Sequence, residues 1–352
     1  MTIEKKKPSK RDSAPRSDYV QAPLTRRALV HRVATALGIG AAASYLAWAP
    51  EEWPGSMKDR SGLRSRPRIK SLRIGDYRVD PPATVKEVAV GRGDTVEERL
   101  QKALDAMGGL THYVQPGDIV LVKPNVAFDR SPNLGATSNP EIIERLVRML
   151  LVDCRAQEVR VADNPIESPA DCFAKSGVAA ATHAGGGRVY LPDSNAFRML
   201  HTPGATLIED WWFFYRPLTN VDKVIGVAPV KDHNLCSASI GIKNWYGLLG
   251  GRRNQFHQDI HEIVSDLSLM LRPTLTIVDG SHVLMRNGPT GGDPSNVKAG
   301  NAVLAGVDPV AIDAWAYEHL LERGTELPRY LHRAAEKGTG RVDYRGRITE
   351  VG

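Results

Sequence analysis

Cysteine is scarce: Cys154, Cys172 and Cys236 are the three in 352 residues, and no Cys-x-x-Cys pair occurs. A protein-built iron–sulfur cluster or a thiolate zinc site is therefore not expected. Cys154 and Cys172 are candidates for a disulfide that leaves Cys236 over. Gly-x-Gly-x-x-Gly, a Walker loop, Gly-x-Ser-x-Gly and His-Glu-x-x-His are also missing. Their absence lowers the dinucleotide, ATP, serine-hydrolase and zincin readings. A basic domain is missing too. The formal net charge is +6, but nine of the 46 Lys/Arg and three of the 40 Asp/Glu lie in residues 1–49, which leaves 37 of each sign beyond them. A neutral body has no stripe to neutralise duplex phosphates, so nucleic acid is not an expected partner.

The excess basic charge sits at the N-terminus. Thr25-Arg26-Arg27-Ala28-Leu29 stands just before the apolar, Ala- and Gly-rich run 33–49, and this arrangement resembles a twin-arginine export signal. The resemblance implies the twin-arginine translocase as a partner. It also implies a periplasmic location, or anchorage at the outer face of the cytoplasmic membrane. The run is near the lower length limit for spanning a bilayer. Ala47-Trp48-Ala49 offers a cleavage site, yet Pro50 follows it, so cleavage and retention as an anchor both stay open. Residues 50–70, rich in Pro, Gly, Ser and charge, read as a linker. An α/β domain is expected over 71–330, with a C-terminal tail over 331–352.

From residue 71, β-branched runs alternate with amphipathic stretches. Strands are expected at 117–125, 158–165, 222–233, 275–282 and 301–309. Helices are expected at 138–153, capped by Ser138 or Asn139, and at 308–323, with Asp308 as N-cap and Pro309 at the first position. A third helix is expected at 256–271. This alternation predicts an α/β fold with a mainly parallel central sheet flanked by helices, preceded by a helical or disordered export signal. Each strand-like run ends in polar residues: Lys123-Pro124-Asn125, Asp163-Asn164-Pro165, Lys231-Asp232-His233, Asp279-Gly280-Ser281-His282 and Asp308-Pro309. Turn chemistry accounts for the Asp, Asn and Pro residues. Lysine and histidine have no such role, and in open parallel sheets ligands bind outside the carboxyl ends of the strands. The five ends are expected to share one rim.

Residues 231–261 are the densest in chemistry. Gly241, Gly247, Gly250 and Gly251 allow close backbone approach to an anion, and Arg252 and Arg253 add charge for a phosphate or carboxylate. In a helix over 256–271, His257 and His261 lie one turn apart, a workable metal pair or a plain exposed pair. His233, His282 or Asp279 are candidates to complete a metal site. His233, Lys243 and Lys123 are the candidate catalytic groups, since burial tunes histidine and lysine toward neutrality. Asp313 is placed either to orient a histidine or as an ordinary helix residue. Cys236 lacks a base to make it a nucleophile, and residues 211–215 read as core or lid aromatics.

The segments "KPN" (123–125), "KDHNLCSASIGIKNWYGLLGGRRNQFH" (231–257), "VDGSHVLMRNGPTGG" (278–292) and "AGVDPVAIDA" (305–314), in this order, together resemble the family called domain of unknown function 362. Members often accompany iron–sulfur ferredoxin modules, which implies a redox partner, although this chain lacks the cluster cysteines. His233, Lys243 and His257 are also similar in order and spacing to the nickel-pincer lactate racemase family. That similarity implies a cofactor carried by the lysine, a metal on the later histidine, and proton shuttling by other histidines. Asn125, Asn244, Gly247, Gly250, Gly251 and Arg252 join Lys243 as cofactor-binding candidates, and His257, His261, His233 and Asp279 are the metal candidates. A metal ion or a nickel-pincer-like nucleotide is the implied cofactor. The expected function is an exported, metal- or cofactor-dependent enzyme moving a proton or hydride on a small anionic substrate, of racemase-like or oxidoreductase-like character. The alternative is a non-catalytic accessory protein that binds a ligand or metal and serves an iron–sulfur partner.

Overall fold

A computed structural model of the chain describes residues 71–352 and, before them, 25–27, 30, 31 and 33–38. The chain divides into two units, Met1–Arg68 and Ile69–Gly352. In the first, residues 26, 27, 30, 31 and 33–38 are helical. Among the described residues no helix is long and apolar enough to cross a membrane. The expected cleavage site at 47–49 and the linker at 50–70 lie outside the described residues.

In the second unit the strands are β1 (Val88–Arg92), β2 (Ile119–Lys123), β3 (Glu158–Ala162), β4 (Arg188–Tyr190), β5 (Phe197–His201), β6 (Asp210–Phe214), β7 (Lys223–His233), β8 (Ser237–Ser239), β9 (Leu275–Leu284), β10 (Val297–Lys298), β11 (Ala302–Gly306) and β12 (Ile348–Val351). The α-helices are α1 (Val96–Ala106), α2 (Leu110–Tyr113), α3 (Pro140–Val152), α4 (Pro169–Lys175), α5 (Val178–Gly185), α6 (Gly241–Asn244), α7 (Ile260–Met270), α8 (Pro309–His319) and α9 (Arg329–Glu336). Ten strands form one sheet in the order β12-β1-β11-β9-β7-β2-β3-β4, with β10 on β9 and β8 on β7. The block β9-β7-β2-β3-β4 is parallel throughout. β11 runs antiparallel to both β9 and β1. β5 and β6 pair as a separate ribbon.

Alternation along the strands supplies two cores. Val120 and Val122 of β2 face the layer that contains Leu100, Ile143 and Leu146 from α1 and α3, whereas Leu121 faces the layer of Val264, Leu267, Val310 and Tyr330. Both faces of the central strands are thus buried, which is why these segments read as near-continuous apolar runs. α3 begins with Asn139 accepting from the Glu141 amide and Pro140 at its first position. Ser138, the other capping candidate, instead donates to the Val227 carbonyl and accepts from the Asn125 amide. α8 is capped by Asp308, which accepts from Val310 and Ala311.

Several expectations are corrected. All three cysteines are buried and free, so Cys154 and Cys172 form no disulfide. The segment at 256–271 is not one α-helix: a 3-10 stretch covers Arg253–Asp259 and α7 begins only at Ile260. The change of pitch destroys the one-turn relation between His257 and His261. The expected tail contributes α9, which straddles residue 330, and β12, which pairs in parallel with β1.

The carboxyl edge is built at the middle of the parallel block. Val122 stands opposite Val161 and Lys123 opposite Gly226, so β2 and β3 end side by side. β7 continues to His233 and turns back through β8, and α6 follows. Trp245, just after α6, packs over Gly226, where an added Cβ would come within 2.8 Å of the indole. We expect Gly226→Ala to destabilise the protein by about 1–3 kcal/mol in chemical denaturation. Unchanged stability would show that the indole is not pressed against this strand.

Candidate functional site

Three of the five polar strand ends meet. Lys123, Asn125, Asp163, Lys231 and His233 line one crevice, together with Lys243, Asn244, Gly247, Arg253 and His257. The two remaining ends do not reach it. Asp308 follows β11, whose antiparallel direction carries its end to the opposite edge of the sheet. Asp279 lies in mid-strand on β9, fully buried, and accepts from the Ser281 amide at 2.8 Å.

Asp163 anchors the crevice. Its Oδ1 lies 2.8 Å from Lys123 Nζ and accepts from the Asn164 amide, while Oδ2 accepts from the Val126 amide at 2.7 Å. Lys123 also donates to the Pro124 carbonyl at 2.7 Å and to Asn244 Oδ1 at 2.8 Å. An ammonium has three hydrogens, and Lys123 has three acceptors, so none remains for a ligand. Burial lowers its pKa and Asp163 opposes that shift. Gly247 crosses directly above the pair: a Cβ there would fall 1.9 Å from Asp163 Oδ1 and 2.7 Å from Lys123 Nζ. This is the close approach for which only glycine serves.

Lys231 is also buried and donates to Asn125 Oδ1 at 3.0 Å and the Ala136 carbonyl at 2.9 Å. Burial, with Lys243 and Lys123 nearby, pushes its pKa down to about 7. Arg253 gives both hydrogens of Nη1 to the Tyr246 and Leu249 carbonyls and both of Nη2 to those of Asn164 and Pro165. It therefore ties the 246–253 loop to the end of β3. Asn244 is equally committed, accepting from Lys123 and Asn125 and donating to the Lys123 and Val227 carbonyls. Asn125 and Asn244 thus act on the lysines rather than outward.

The two histidines show opposite faces of neutral imidazole. His233 Nδ1 accepts from the Leu235 amide at 3.2 Å, so in the neutral ring the hydrogen is on Nε2. Burial, then Lys243 and Lys231, push its pKa down to about 2, so the ring stays uncharged. His257 Nδ1 lies 3.0 Å from the Asn254 carbonyl, a pure acceptor, and therefore carries the hydrogen. Its Nε2 keeps a lone pair, and burial lowers its pKa as well. The crevice thus holds one imidazole donor and one imidazole acceptor.

Other candidates lie elsewhere. Gly250 and Gly251 pack against Trp211 and Trp212 of β6, with the Gly250 amide donating to the Trp212 carbonyl at 2.8 Å. Arg252 is exposed, and its neighbour Arg253 takes the place in the crevice. His261 stacks on Tyr330 at 6.5 Å and does not line the crevice. His282 is exposed. Among the described residues no group of three His, Cys, Asp or Glu side chains converges to hold a metal ion. His257, His261, His233 and Asp279 therefore do not fit a metal held by protein side chains alone. The crevice holds ≈ 60 Å³, roughly four or five water-sized positions. Asp313 orients no histidine: it accepts from the Gly241 and Ile242 amides at 2.8 and 3.1 Å and so fixes α6.

Phe128, Ser239 and Tyr246 line the site without a sequence signal, whereas Asp163 and Lys231 are expected only as strand-end rim residues and Arg253 only as added charge for an anion. Asp163 looks like a turn former in the sequence. Its signal is its position, one residue beyond a strand parallel to the one ending in Lys123.

The fold and crevice define an α/β protein with a cationic site at the edge of its sheet. Residues 120–318 match the family described as Domain of unknown function (DUF362), and the chain belongs to that family. Thylakoid-associated protein sll1697 of Synechocystis sp. is 26% identical over 251 residues, covering 65% of this chain and 73% of its own. A crystal structure of a protein from Thermotoga maritima aligns with 67% of this chain and 60% of its own, at 13% identity and a TM-score of 0.39. The chain thus spans under two thirds of that protein, and so low a score carries no argument about this one.

Removing the one carboxylate strands Lys123 among other cations. Asp163→Asn is expected to cost about 3–5 kcal/mol in urea denaturation. Adding Lys123→Met to that variant is expected to restore part of the loss. A single-variant cost under about 1 kcal/mol would mean that the pair is not the buried anchor described.

Proposed function

We propose that the crevice is the active site of an enzyme that binds a small anion, a carboxylate or phosphate bearer, and moves a proton on it. The observation that supports this reading is the charge imbalance: Lys123, Lys231, Lys243 and Arg253 are all buried there against Asp163 as the one lining carboxylate. Unmatched buried charge is costly, and an anion with hydrogen-bond acceptors supplies what the protein withholds. Of the groups with capacity left, Lys231 as an ammonium has one free hydrogen, His233 offers Nε2–H and Lys243 is uncommitted. His257 Nε2 is the candidate base. The substrate is small because the cavity is: ≈ 60 Å³ is room for roughly four or five water-sized positions.

The export reading belongs to the same proposal. The Thr25-Arg26-Arg27 motif, with the thylakoid association in the name of the Synechocystis relative, supports placement at or across a membrane by the twin-arginine translocase. Replacing Arg26 and Arg27 by lysine in the full chain is expected to hold it in the cytoplasm, as read by cell fractionation. Unchanged distribution would remove this part. Service to an iron–sulfur redox partner is a further proposal from the family resemblance alone.

Binding and chemistry are read separately. Phosphate and small carboxylates are expected to bind with proton uptake at pH 8, because the anion restores the charge on Lys231. Affinity then falls roughly tenfold per pH unit for each proton taken up. Calorimetry in buffers of different ionisation enthalpy measures the uptake, and binding with no proton exchange contradicts the assignment. Without anion, the unfolded chain binds more protons than the folded one between about 7 and the ordinary lysine value of 10.5, so stability rises with pH across that window. Lys231→Met is expected to flatten that rise in urea titrations at pH 7 and 9. In deuterium oxide, 2-hydroxy carboxylates are expected to gain deuterium at C2 and 2-oxo carboxylates at C3, and His257→Gln to lose this activity. Binding without deuterium entry for any of them would leave a non-catalytic accessory binder.

A further inference from the structure

The three lysines of the crevice differ in how far their nitrogens are committed. Lys123 has three acceptors and Lys231 has two. Among the described residues Lys243 Nζ makes neither a hydrogen bond nor an ion pair, and its near neighbour is the face of Tyr246, 5.1 Å from Nζ to the ring centre. The side chain is nonetheless 9% exposed. A buried ammonium without an acceptor and beside other cations is disfavoured, whereas a neutral amine tolerates both conditions. Burial accordingly lowers the Lys243 pKa, and Arg253 lowers it further. Cys236 is the one group that opposes this, through the charge of its thiolate. Burial pushes that thiol up to about 11, so at neutral pH Cys236 is uncharged and supplies no counter-ion.

We propose that Lys243 is a carbonyl-capturing amine that forms an imine with the keto carbon of a small 2-oxo carboxylate whose carboxylate rests on Lys231. This rests on the reading of the crevice as an anion site and names its substrate class. Two features converge on that class. Protonated Lys231 and Arg253, which have no carboxylate partner, ask for an anionic group, and the free amine of Lys243 asks for an electrophilic carbon. The crevice is small, ≈ 60 Å³, and a 2-oxo carboxylate carries the two groups on neighbouring atoms of one small molecule. The amine nitrogen adds to the carbonyl carbon, and the resulting alcohol oxygen then leaves as water as the carbon–nitrogen double bond forms. His257 Nε2 passes the two protons shed by nitrogen in turn to the oxygen, which leaves as water, and a further proton taken from solvent protonates the imine, so no oxidant or reductant is needed. The protonated imine then acidifies the adjoining C–H bond, which gives His257 a proton to move.

The probe is pyruvate with sodium borohydride, applied to the full chain at pH 7.5, followed by peptide mapping. An imine reduced in place leaves a carboxyethyl group on its lysine. The expected result is near-stoichiometric carboxyethylation of Lys243, with exposed lysines labelled only in trace amounts, and loss of that label when phosphate competes. Lys243→Arg is expected to bind pyruvate in calorimetry and to give no specific label. Should that variant fail to fold, the wild-type peptide map decides the matter unaided. Pyruvate binding with Lys243 unmodified overturns the imine and leaves the anion reading in place. Absence of binding for both pyruvate and phosphate overturns the two together.

Discussion

Lys123 and Asp163 meet 2.8 Å apart at the ends of two neighbouring parallel strands, both with almost no exposure. A buried pair of this kind is weak as a source of stability but demanding in geometry, because each charge needs its remaining hydrogen-bonding capacity filled. The surroundings meet that demand group by group. The Val126 and Asn164 amides complete the carboxylate, while the Pro124 carbonyl and Asn244 complete the ammonium. Gly247 passes overhead because any side chain would strike the pair. Arg253 then fastens the same loop to the end of β3 through four carbonyls.

Once Asp163 is committed to Lys123, the crevice has no carboxylate left for Lys231, Lys243 or Arg253. Arg253 is satisfied by carbonyl dipoles, and Lys231 partly so. Lys243 is left with the face of an aromatic ring. The result is a gradient from a saturated, charged lysine to an uncommitted one over a single site, together with two uncharged imidazoles whose hydrogens sit on opposite nitrogens. Pre-set donors and acceptors of this kind need little rearrangement when charge develops on a ligand. α6, which carries Lys243, is pinned by Asp313 through the Gly241 and Ile242 amides. The reactive nitrogen therefore projects from a fixed backbone rather than a loose loop.

Much of this was legible in the chain. The α/β architecture followed from alternating patterns, and the rim was visible because lysine and histidine have no reason to end strands. Lys123, His233, Lys243 and His257 do line one crevice. Direction was not legible: nothing in residues 301–309 reveals that β11 runs antiparallel, so Asp308 seemed to belong to the same edge. Helical pitch was equally hidden, and the 3-10 stretch at Arg253–Asp259 parts His257 from His261. Asp163 was masked by being a good turn former as well as a counter-ion, and only the register of β2 against β3 separates the two roles. Arg252 and Arg253 are indistinguishable as letters, yet one is exposed and the other clamped.

The account stands on the charge states of three buried lysines, and nitrogen-15 and carbon-13 NMR of lysine side chains reads those states directly. It predicts that Lys123 keeps an ammonium signal with slowed hydrogen exchange, while Lys231 loses its proton near pH 7 and Lys243 titrates below the ordinary lysine value. Added phosphate should move the Lys231 transition upward. If all three titrate with the exposed lysines and ignore phosphate, the crevice is an open, solvated surface and the account is wrong.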